Sequence, residues 1–124
     1  MHRIFLTCDD VTFCEKLRHC FHAETDFVVC GEARNGIELL KKALALGPNL
    51  VVMEAARTSV DAFEIAEALK IIMPEVPLFL ITDQHHVQAE KDVLSRGIDA
   101  VFEKAHDLTA LVMNARAICD QSRS

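Results

Sequence analysis

Leu50-Val51-Val52-Met53-Glu54 is apolar at every position until a carboxylate closes it. A strand with one wet face alternates apolar and polar residues. A run that is apolar on both parities must be covered on both faces, as in a parallel sheet sandwiched by helices. Working outward, the pattern repeats. Ile4-Phe5-Leu6-Thr7-Cys8 runs into Asp9-Asp10, Leu78-Phe79-Leu80-Ile81 into Thr82, and Ala100-Val101-Phe102-Glu103 into Lys104. Four strands thus deliver carboxylates, a hydroxyl and an ammonium at their C-terminal ends, the edge of an open α/β sheet where ligands bind.

Helical periodicity fills the gaps between runs. Residues 12–24 place Phe13, Leu17, Cys20 and Phe21 on one stripe, and Phe27-Val28-Val29-Cys30 supplies a further strand. Asn35 is a capping residue for the helix from Ile37 to Leu44, which Gly47-Pro48 stops. A third helix is expected over residues 61–72, before Pro74, and a fourth over 86–96, ending at Gly97. The fifth strand is expected at Ile98–Phe102. A last helix near 107–119 carries Leu108, Leu111, Val112, Ala115 and Ile118 on one side. Five alternations of strand and helix predict a doubly covered, five-stranded parallel α/β sheet.

At 124 residues the chain suits one domain, expected over residues 3–120, with 121–124 as a frayed tail. The net charge of −6 leaves no basic stripe to neutralise phosphates, since Lys41-Lys42 is the only adjacent Lys/Arg pair. That disfavours direct nucleic-acid binding. Five cysteines without Cys-x-x-Cys spacing fit reduced core thiols in the cytoplasm. No run is long enough to span a bilayer, and no Gly-rich phosphate loop, nucleophile elbow or zinc motif points to an enzyme. His85-His86 has no third ligand at metal spacing and reads as a solvated pair.

Several motifs together give the chain a family likeness: Asp9-Asp10, Gly31-Glu32-Ala33-Arg34-Asn35-Gly36, Pro48-Asn49 leading into Leu50–Met53, Thr82, and Gly97 followed by Lys104. In this order and spacing the whole chain resembles the receiver domains of bacterial response regulators. The Gly-Glu-Ala-x-Asn-Gly segment is most similar to receivers fused to helix-turn-helix DNA-binding domains. The resemblance implies a flavodoxin-like (βα)5 fold with strand order 2-1-3-4-5. It implies two-component phosphorelay signalling, with Mg2+ held by Asp9, Asp10 and the residue at 54. Thr82 would be the switch hydroxyl and Lys104 the phosphate partner. It implies partners too: a histidine kinase or downstream effector, met on the face of the fourth helix, fifth strand and last helix, with homodimerisation left open.

The departures bear on function. Glu54 stands at the phosphoacceptor position where the family has aspartate, and its extra methylene displaces the carboxylate by about 1.5 Å. In-line transfer depends on finer placement than that. Asp83 stands where a small residue leaves room for phosphate, Val101 where an aromatic usually rotates, and Ala105 where proline usually follows the lysine. The loop Arg57-Thr58-Ser59-Val60-Asp61-Ala62 lacks the family's Pro and Gly. The expectation is a stand-alone or truncated atypical receiver, not an enzyme. It would act as an interaction module, independent of phosphorylation or with Glu54 mimicking the phosphorylated state. The rival is a phosphotransfer protein that still accepts a phosphoryl group with Mg2+. Two further readings stay open. Asp9-Asp10 could simply cap the first helix. Close carboxylates also need an offsetting cation, which either Mg2+ or Lys104 alone could supply.

Overall fold

The computed structural model of the protein describes residues 1–55, 60–82, 97–104 and 108–121. Five strands form one parallel sheet: β1 (His2–Thr7), β2 (Phe27–Ala33), β3 (Leu50–Ala55), β4 (Leu78–Thr82) and β5 (Ala100–Glu103). Their order is β2-β1-β3-β4-β5, as the resemblance implies. Helices α1 (Val11–His22), α2 (Gly36–Leu46), α3 (Val60–Ile72) and α4 (Leu108–Gln121) are the described helices. The helix expected over 86–96 lies outside the described residues.

Strand alternation divides the core in two. On one face Ile4, Leu6, Leu50, Val52, Phe79 and Ile81 pack against Phe13, Leu17 and Phe21 of α1 and Leu111, Val112 and Ala115 of α4. On the other, Phe5, Val51, Met53, Leu78 and Leu80 meet Leu39 and Ala43 of α2 and Ala66 and Leu69 of α3. Both parities of β1, β3 and β4 are therefore buried, which is why these runs hold no polar residue until their ends.

The helix ends follow their signals. The Asn35 carboxamide oxygen accepts from Glu38 N at 2.9 Å, and Gly47 closes α2 in the left-handed region at φ 59°. Element ends differ slightly from the sequence reading. α1 begins at Val11, and Gln121, expected in the tail, is the last residue of α4. β5 starts at Ala100, because Ile98 and Asp99 form the corner before it. There Asp99 N donates to Leu78 O, while the Asp99 carboxylate accepts from Leu78 N at 2.8 Å and Lys70 Nζ at 3.0 Å.

Candidate functional site

Parity places Glu54. It continues the series Leu50, Val52 on the α1–α4 face of β3, one residue past the last core position of that parity. Its side chain is 7% exposed, so it lies along the sheet edge instead of projecting into solvent. Oε1 accepts two backbone N–H groups from the β1–α1 loop, Asp9 N at 3.0 Å and Asp10 N at 3.1 Å. Oε2 stands 2.6 Å from Lys104 Nζ. That contact lies off hydrogen-bond alignment, so it acts as a charge pairing.

Lys104 joins the cluster from the turn after β5. Its backbone N–H donates to Thr82 O at 2.8 Å, which ties the ends of β4 and β5 together. Its ammonium reaches across to Asp10 Oδ2 at 2.9 Å and lies 5.0 Å from the centroid of the Phe13 ring. The neighbouring carboxylates of Glu54 and then Asp10 hold this ammonium above its ordinary range. Reciprocally, Lys104 and then the Phe13 amide hold the Asp10 carboxyl below its ordinary value. Asp10 does two things, because its other carboxylate oxygen caps α1 by accepting from Phe13 N at 3.2 Å. Asp10 therefore caps α1 with one carboxylate oxygen and pairs with Lys104 through the other. Asp9 contributes its amide, and its exposed carboxylate makes no hydrogen bond or ion pair among the described residues.

The structure thus brings Asp9, Asp10, Glu54, Thr82 and Lys104 to one edge. Thr82 is half-buried at the end of β4 and pairs in register with Ala55 and Glu103. Val101 is half-buried against the α2–α3 core. Asp83, Ala105, His85 and His86 lie outside the described residues. Cys8, just before the acidic pair, is a buried thiol whose burial pushes its pKa up, in keeping with a core role. The sequence reading missed the amides of Asp9 and Asp10 as partners of Glu54, since backbone donors carry no side-chain signal. It also missed Glu32, which accepts both Arg18 Nε at 2.9 Å and Nη2 at 2.6 Å, and Cys14 Sγ at 3.3 Å, beneath α1.

As arranged, the edge does not fit a divalent cation. Three of the oxygens a cation would use are already committed: Glu54 Oε1 to two amides, and Glu54 Oε2 and Asp10 Oδ2 to Lys104. Among the described residues no group of three or more His, Cys, Asp or Glu side chains is placed to hold a metal. Nor is any described helix long and apolar enough to cross a membrane.

Comparison with known proteins bears on the fold. No family model matches the chain. A two-component response regulator from Clostridium difficile superposes with a TM-score of 0.87 at 21% identity, covering 100% of both chains. The response regulator domain of Thermotoga maritima CheB gives 0.84 at 18% identity, covering 97% of each. In sequence, a protein-glutamate methylesterase/protein-glutamine glutaminase of Myxococcus xanthus is 31% identical over 106 residues. That alignment takes in 82% of this chain and 29% of the relative. The response regulator protein VraR of Staphylococcus saprophyticus is 26% identical over 81 residues, 65% of this chain and 39% of VraR. The chain spans less than half the length of the curated relatives it matches. It has the fold of the response-regulator receiver domains and is similar in sequence to part of a methylesterase/glutaminase and part of the response regulator VraR.

Proposed function

We propose that this receiver domain works as a phosphorylation-independent interaction module in two-component signalling. The observation behind the reading is the commitment of Glu54. Both of its oxygens are engaged inside the pocket, and the side chain is almost wholly covered. A phosphoryl acceptor must present a carboxylate oxygen in line with its donor, within a few tenths of an ångström. Glu54 instead ties β3 to the β1–α1 loop and, through Lys104, to the ends of β4 and β5. A single pocket state held from within suits a domain that reports its presence to a partner and does not wait for covalent input. A histidine kinase or a downstream effector, met on the face that includes β5 and α4, fits this role.

The test is incubation with Mg2+ and excess acetyl phosphate or phosphoramidate, read by intact mass, with Glu54→Asp in parallel. The expected result is an unmodified wild type. A phosphoryl adduct on wild type overturns the reading and promotes the phosphotransfer alternative, with Asp9, Asp10 or Glu54 as the acceptor. An adduct on E54D alone locates the block at residue 54. If neither protein reacts, the remaining departures around the pocket suffice to disable it.

A further inference from the structure

Among the described residues, the apolar side chains Ile37 and Leu44 form an exposed stripe on α2, but nothing says what would cover it. The shallow groove between α1 and the start of α4 has a mixed lining of Glu15, Lys16, His19 and Leu108 that selects no partner. The ion-pair edge carries more.

We infer that Lys104 is the resident cation of this pocket and that its ammonium takes the place a divalent metal would occupy between Asp10 and Glu54. Nζ lies 2.9 Å from Asp10 Oδ2 and 2.6 Å from Glu54 Oε2, so it bridges both oxygens. A magnesium ion between the same oxygens would need contacts of about 2.1 Å and would keep several waters. The ammonium fills that space without demanding octahedral order, and its alkyl stem and ring contact with Phe13 leave it only 25% exposed. Glu54 is turned away from metal binding at its other end, where Oε1 accepts the two loop amides. For a cation to enter, Lys104 must leave two carboxylates and the Phe13 ring together. Its positive charge offsets the repulsion between the two carboxylates it contacts, Asp10 and Glu54.

This deepens the phosphorylation-independent reading by naming what holds the pocket, and the two fail separately. The test is Mn2+ binding, followed by loss of the free-ion paramagnetic resonance signal, on wild type, Lys104→Met, Lys104→Arg and Lys104→Met/Asp9→Asn. Wild type and K104R should take up no Mn2+ at millimolar concentrations. K104M, which leaves Asp10 and Glu54 unpaired beside Asp9, should gain saturable binding at least about tenfold tighter than any wild-type binding. D9N in the K104M background should weaken it again. Should K104M not fold, Lys104→Gln is read in its place. Saturable Mn2+ uptake by wild type overturns the inference even if no phosphoryl adduct forms. So does a folded K104M or K104Q that gains no affinity.

Discussion

At the scale of single residues, Glu54 links two elements, since its carboxylate at the end of β3 accepts from Asp9 N and Asp10 N of the β1–α1 loop. The aromatic ring of Phe13 and the Asp10 carboxylate then fix the lysine that balances it. Such a cluster is coupled, so its members should not behave additively. Glu54→Gln keeps the shape and an acceptor for the two amides but removes the charge facing Lys104, and should cost about 2 kcal/mol. Lys104→Met leaves Glu54 and Asp10 uncompensated, and the double variant should recover part of the combined loss. The expected coupling is about 1–3 kcal/mol, measured by urea unfolding of the four proteins at low salt. Additive losses would mean that the 2.6 Å pairing contributes nothing to stability.

At the scale of elements, β2 holds a feature that only pairing reveals. Ile4 pairs with Val29 but Phe5 with Gly31, so Cys30 is an extra residue in the ladder. Gly31 sits where the bulge turns toward the core, and a Cβ there would meet Leu46 Cδ1 at 2.5 Å and the Phe5 ring at 2.9 Å. Phe5 is fully buried and cannot yield freely. Gly31→Ala should therefore cost about 1–3 kcal/mol through overpacking, seen as a lower urea midpoint with an unchanged slope. Gly47→Ala, with open space around it and only its φ of 59° to strain, should cost about 1 kcal/mol. A Gly31→Ala variant that loses no stability would refute the overpacking account. The five strands were legible in the sequence because burial on both faces forces unbroken apolar runs, and the caps because Asn35 and Gly47 have specific backbone geometry. The bulge at Cys30 was not legible, since it exists only relative to a neighbouring strand. The carboxylates, hydroxyl and lysine of the site were legible from their places at strand ends. The direction of the Glu54 side chain was not, because it is set by amides of another element.

At the scale of the whole molecule, the site edge and the opposite edge are both held by ion pairs, and this governs how the protein meets acid. Near the start of β2, Arg116 of α4 reaches Asp26 at 2.7 Å and Glu24 at 3.0 Å and lies over the Phe27 ring, while His2 contacts Asp120 at 2.9 Å. At the other end Lys104 holds Asp10, and beneath α1 Arg18 holds Glu32. At Asp10, Asp26 and Glu32 the basic partner keeps the carboxyl below its ordinary value, 3.8 for the two aspartates and 4.5 for the glutamate. A carboxyl with a depressed folded pKa binds its proton more readily in the unfolded chain. Its contribution is complete above the unfolded value and drains away as pH falls through the folded one. Arg116 and Lys104 are displaced upward, so their side of the linkage is lost only in strong alkali. The urea midpoint should therefore not respond to these carboxyls between pH 7 and about pH 5.5, then decline steadily below about pH 5. Arg116→Gln removes the partner that depresses Asp26, so its deficit relative to wild type should be largest near neutrality and shrink toward pH 3. Added salt should narrow it too, because Arg116 is partly solvated. A deficit that stays constant from pH 7 to pH 3 would mean that Arg116 acts through its packing on Phe27 and not through charge.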